Sequence, residues 1–155
     1  SLCAEMHSGF QTLRALCPMN VRARNVKVRV TPELASDIAR IDRIWAGCRQ
    51  RHAEAGPWLF GEYSPVDAMF APVALRFRTY GGALSARSRE YLETVLTDPL
   101  LAEWIAASEA EDHVVARNEV RRRRKTKSKA QPRSSGRARS VKTRLRPRRR
   151  ASRKR

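Results

Sequence analysis

Apolar residues recur at three-to-four spacing over Leu2, Met6, Phe10, Leu13 and Leu16/Cys17, and the pattern stops at Pro18. That period is one face of a helix, so residues 2–17 are predicted to be helical. Residues 19–30, MNVRARNVKVRV, alternate apolar and basic positions in their second half. A lone strand would have no partner, so an extended connection is expected. Thr31-Pro32-Glu33 reads as a cap followed by proline at the first helical position. The stripe behind it is Leu34, Ile38, Ile41, Trp45 and Cys48, with Arg40, Arg43 and Arg49 off that face. The loop HAEAGPWLFGEY leads to a helix over 64–80 that Gly81-Gly82 close. Ser85 then caps a short helix through Leu96. Thr97 or Asp98 starts the last, with Pro99 in its first turn and Leu100, Leu101, Trp104 and Ile105 as its buried stripe. The reading is all-α, with about five helices and no internal repeat.

The helix opened by Ser64 is the odd one. Val66, Ala68, Met69, Phe70, Ala71, Val73, Ala74, Leu75 and Phe77 leave it without a polar face. A helix apolar all round is buried, which makes this one the central rod of the domain. Its first-turn amides then lie beyond the reach of water. Ser64 Oγ and the Asp67 carboxylate are expected to satisfy them reciprocally, as a structural helix cap. Pro72 removes one internal hydrogen bond and bends the rod, tolerable where neighbours hold it. Ser64 and Asp67 could also be read as a nucleophile and its orienter. No positioned histidine accompanies them, so the structural reading is preferred and no catalytic residue is assigned.

Charge divides the chain in two. Residues 1–112 hold 13 Lys+Arg and 14 Asp+Glu, and all the Trp, Tyr and Phe. Residues 113–155 hold 20 basic residues against one acid, Glu119. The first part can bury a single core. The second is a low-complexity basic tail, expected to be disordered because it cannot offset its ordering entropy. Cys3, Cys17 and Cys48 are too few for a disulfide framework, and free buried thiols point to a reducing, cytoplasmic setting. Cys3 and His7 share a helical spacing, but no second pair completes a metal site. No apolar run approaches membrane-spanning length. The chain opens at Ser1 inside a helical pattern, which reads as a fragment.

The G-x-x-S-x-x-D start at Gly61, Ser64 and Asp67 and the later Asp98-Pro99 and Trp104 belong to an ordered set. The runs AEMHSGFQTLRALCPMNVRAR and IARIDRIWAGCRQR…GPWLFGEYSPVDAMFAPVALRFRTYG belong to it as well. Together they resemble the C-terminal helical domain of cytosolic glutathione transferases, in the bacterial branch related to the zeta class and maleylacetoacetate isomerase. The resemblance covers residues 1–112. One departure is that the usual apolar staple across the cap is reduced to Tyr63 and Ala68. The resemblance implies a thioredoxin-like domain that binds glutathione and carries the catalytic group, missing from this chain, so that the chain alone is inactive. It implies that the helical domain meets the electrophilic co-substrate and helps form a homodimer. Met6, His7, Phe10, Met19 and Asn20 are the residues that would touch that co-substrate. The parent reaction would be conjugation of glutathione to an electrophile, or glutathione-dependent isomerisation.

Met6 and Phe10 also fit a plain core, and His7 a solvent-facing position. Arg22 and Arg24 would either attract an anionic substrate or simply be solvated. Arg76 and Arg78 are expected to satisfy helix-terminal carbonyls or to reach solvent. For the tail, three readings stay open. It is an arm that binds nucleic acid without sequence preference, a localisation signal at RRRRKTKSK, or the product of a frame change in GC-rich coding DNA.

Overall fold

The computed structural model describes residues 1–119. Most of the basic tail, from residue 120 on, lies outside the described residues. Six α-helices run in order: α1 Leu2–Ser8, α2 Gln11–Leu16, α3 Pro32–His52, α4 Pro65–Tyr80, α5 Ala86–Leu96 and α6 Pro99–Ala110. Single 3-10 turns occupy Ala53–Ala55 and Ala116–Asn118. The all-α expectation holds among the described residues, and none of their helices is long and apolar enough to cross a membrane.

The sixth helix arises because the first predicted helix is broken. Gly9 closes α1 by donating its N–H to the Glu5 carbonyl at 2.7 Å, and a Cβ there would sit 2.6 Å from that oxygen. Phe10 then takes a left-handed conformation, φ 57° and ψ 40°, which ends one helix and re-aims the next. The apolar stripe survives the break, since Met6, Phe10, Leu13 and Cys17 are all buried. Phe10 offers no side-chain cap, and Asp37 of α3 supplies one by accepting the Leu13 N–H at 2.9 Å. Arg14 closes the other side of the break by donating to the carbonyls of Met6 and His7.

Trp45 on α3 is the hub of the core. Its ring meets Phe70, Phe77 and Tyr91 edge-on at centroid distances of 5.7, 5.5 and 4.9 Å, tying α3 to α4 and α5. Edge contacts of this kind contribute about 0.5–1.5 kcal/mol each beyond the area they bury. On α4 only Pro65 and Ala68 are exposed, and the helix runs unbroken through Pro72. Its central place is therefore as the sequence implied. Gly81 ends it at φ 75°, a conformation open to glycine at little cost, and donates to the Phe77 carbonyl at 2.8 Å.

Residues 18–30 form an irregular connection held by the last turns of α4. Val26 N–H donates to the Thr79 carbonyl at 2.9 Å, and the Tyr80 hydroxyl donates to the Pro18 carbonyl at 2.7 Å. Arg76 and Arg78 donate to the carbonyls of Cys17 and Val21, each at 2.9 Å. They thus satisfy carbonyls of this connection. Burial, reinforced by Cys17, pushes the Tyr80 hydroxyl up to about 12.

Two expectations are corrected at the C-terminal end. Of the stripe predicted on α6, only Ile105 is buried. Leu100 is 73 % exposed and Trp104 45 %, because α6 packs chiefly on α5 and has no neighbour over its outer side among the described residues. Asp98, not Thr97, is the cap, accepting the Leu101 N–H at 3.0 Å. The packed part also continues past residue 112 among the described residues. Residues 113–119 do not behave as a free tail: Arg22 donates to the Glu111 and His113 carbonyls, and Asn20 donates to the Asn118 carbonyl at 3.4 Å.

Candidate functional site

Asp67 stands in the third position of α4 with 1 % of its surface exposed. Oδ2 accepts the Ser64 N–H at 2.9 Å, the carboxylate's half of a capping box, and the Ser64 hydroxyl at 2.7 Å, while the Asp67 N–H donates to the Ser64 carbonyl at 3.0 Å. Oδ1 accepts the Leu59 N–H at 3.1 Å and the Tyr91 hydroxyl at 2.9 Å. One carboxylate thus ties the start of α4 to the preceding loop and to α5. Burial first, and then the adjacent Asp67 charge, push the Tyr91 hydroxyl far above its ordinary range. Ser64 is hydrogen-bonded to Asp67 and to no histidine among the described residues, so the arrangement is a cap. The apolar staple is replaced: Ala68 is exposed, and the Tyr63 ring packs edge-on against Trp58 at 4.9 Å instead.

The five residues expected at the co-substrate divide into three groups. Met6 and Phe10 are buried in the core. His7 is exposed in the last turn of α1. Met19 and Asn20 come together, lining a shallow cavity of about 110 Å³ with Arg22, Ser108, Glu111 and His113. Asn20 organises its wall. Its Oδ1 accepts the N–H groups of Arg22 and Ala23 at 3.2 and 3.0 Å, and its Nδ2 donates to Glu119 Oε1 at 3.2 Å. Arg24 pairs with Glu109 at 2.7 Å, so its charge is neutralised locally. The far wall, residues 108–119, was not foreseen from the sequence. It is joined to Asn20 only by contacts between distant parts of the chain.

Burial pushes the thiols of Cys17 and Cys48 up, which keeps both protonated and unreactive at neutral pH. A second cavity of about 190 Å³ opens beside the start of α4. Trp58, Tyr63 and Trp104 line it, together with Asp67, Asp98 and Leu101. The signal for it was present in GPW and in a tryptophan on α6, but each aromatic reads equally well as core.

No family model, curated protein or solved structure matches this chain.

Proposed function

We propose that residues 1–119 are the electrophile-side helical domain of a glutathione transferase-like enzyme. In this reading a thioredoxin-like domain outside the chain holds glutathione and activates its thiol. The observation that carries the reading is the start of α4. A buried Asp67 joins Ser64, Leu59 and Tyr91 at the head of an apolar central helix, in the ordered motif set whose resemblance is to that family.

Glutathione bound to the other domain would supply the thiolate that attacks the electrophilic carbon. This chain's own part is to hold the electrophile. Met19 offers a polarizable apolar contact and the Asn20-ordered loop a fixed wall. The raised thiols of Cys17 and Cys48 make neither a substitute nucleophile.

The test is to assay the chain alone and joined behind a thioredoxin-like domain of this enzyme class. The chain alone should show no conjugation of glutathione to an aryl halide and no retention on immobilised glutathione. The joined protein should show both. Turnover by the isolated chain, or a joined protein that binds glutathione without turnover, would overturn the proposal.

A second reading rests on charge. The 19 basic residues after Glu119, with no acid among them, would neutralise phosphates whatever the helical domain does. In that reading the protein binds nucleic acid through the tail, and the helices serve as a scaffold.

A further inference from the structure

The cavity between the head of α4 and α6 differs in chemistry from the rest of the surface. Trp58 and Tyr63 form one corner, their rings at 85° and 4.9 Å apart. Trp104 lines the same cavity from α6. Tyr63 and Trp104 are 55 % and 45 % exposed, unusual for side chains of this size. Two carboxylates, Asp67 and Asp98, also line the space, and among the described residues no basic side chain does. Arg49 donates to the Trp58 carbonyl and so steadies that residue, but it does not line the cavity.

The carboxylates are not equivalent. Asp67 is saturated by four neutral donors. Its carboxyl group meets no cation among the described residues, and its acceptor sites are taken. Asp98 Oδ1 caps α6, and its Oδ2 accepts no hydrogen bond among the described residues. The space therefore presents aromatic faces, negative potential and a single free carboxylate oxygen, Asp98 Oδ2, as acceptor. Ring faces attract cations through their quadrupoles, and an uncompensated charge in a poorly hydrated place adds to that attraction. A guanidinium or primary ammonium would leave most of its N–H groups without acceptors there. An alkylated ammonium has few or none to satisfy. A volume of about 190 Å³ is also far larger than a bare metal ion needs.

We propose that this cavity binds the alkylated ammonium group of a small organic cation, with Trp58, Tyr63 and Trp104 as the cage and Asp98 and Asp67 as the source of negative potential. The assignment is independent of the glutathione transferase reading, since it uses neither Met19 nor Asn20. A choline-type group is the simplest member of the class, and it exists both as a free solute and as a lipid headgroup.

The experiment uses the full chain at fixed ionic strength and follows broadening of the N-methyl proton signals of choline and tetramethylammonium. The control ligands are guanidinium and 3,3-dimethylbutan-1-ol, the neutral carbon counterpart of choline. Choline should bind about tenfold or more tightly than the neutral alcohol, the size of one cation–π contact in a partly dry site. Trp104→Leu and Tyr63→Leu should each weaken choline binding about fivefold. Both side chains are largely exposed, so the thermal melt should stay near that of the parent chain. Sedimentation with phosphatidylcholine vesicles distinguishes the sources. Co-sedimentation lost in Trp104→Leu places the ammonium on a lipid, and choline binding without co-sedimentation places it on a free solute. Either supports the site. Equal binding of choline and the neutral alcohol would overturn it, as would equal or tighter binding of guanidinium, undiminished binding by both variants, or no broadening at all.

Discussion

Removing the Asp67 carboxylate strands four donors at once, two of them backbone amides. A buried unsatisfied donor costs about 1–3 kcal/mol, so Asp67→Ala should lose roughly 3 kcal/mol after partial relaxation. Tyr91→Phe removes one donor and keeps the ring, and should lose about 1 kcal/mol. Urea melts check both, and an Asp67→Ala melt superimposable on the parent would mean that the head of α4 is not buried. Tyr80 gives a pH dependence. Its hydroxyl is raised to about 12 by burial, against about 10 in an unfolded chain. The fold favours the neutral phenol, so its contribution is complete below about pH 10 and lost as pH rises toward about 12. Tyr80→Phe cannot ionise there. The stability advantage of the parent chain over this variant should shrink as pH rises from about 10 toward about 12. An advantage that stays constant or grows would contradict the burial of Tyr80.

At the scale of elements, the junction of α3 with α5 is held by another carboxylate. Asp42 accepts the N–H and the hydroxyl of Ser85, both at 2.8 Å, at the cap of α5. Burial alone would raise this carboxyl. The nearby Ser88 hydroxyl, the two hydrogen bonds from Ser85 and the charge of Arg89 outweigh burial and hold it below its usual range. Its contribution is therefore present above the unfolded value of about 4 and lost as pH falls through the lower folded value. Asp42→Asn should cost about 1 kcal/mol near neutral pH and less at about pH 3, measured by paired urea melts. A cost that grows on acidification would contradict the assignment.

The same scale shows what the sequence could disclose. The caps at Thr31, Ser85 and Asp98 and the stripe on α3 were legible because each depends on neighbours a few positions away. The break at Gly9 was not read, although Ser8-Gly9 marks it. Period reports which side a residue faces, and Met6, Phe10 and Leu13 keep the same side across the break. On α6 the pattern marked Leu100 and Trp104 as apolar but could not show that none of the described residues packs over them. Of the candidate site, the adjacent pair Met19 and Asn20 was legible. Its partners at 108–119 were not, because no local pattern links residues so far apart along the chain.

Across the whole molecule, a near-neutral helical part precedes a polycation, and each is expected to contribute a property of its own. The full chain is expected to bind DNA and RNA alike, with log affinity falling by about 0.9 per neutralised phosphate for each unit of log salt. Six contacts would lose roughly a thousandfold between 50 and 200 mM salt. A chain ending at Glu119 should lose this binding and keep its thermal melt. Retained binding would contradict the division, and a preference for one sequence would contradict contacts made only to phosphate.

The proposed electrophile-side role is tested most directly by a kinetic split in a protein made by joining this chain behind a thioredoxin-like domain. Met19→Ala leaves the core intact and removes apolar surface from the cavity wall. It should raise KM for an apolar electrophile about tenfold, the cost of a few lost methylene-sized contacts, with KM for glutathione unchanged. A raised KM for glutathione at constant electrophile KM, or no change in either, would contradict the assignment of this domain to the electrophile.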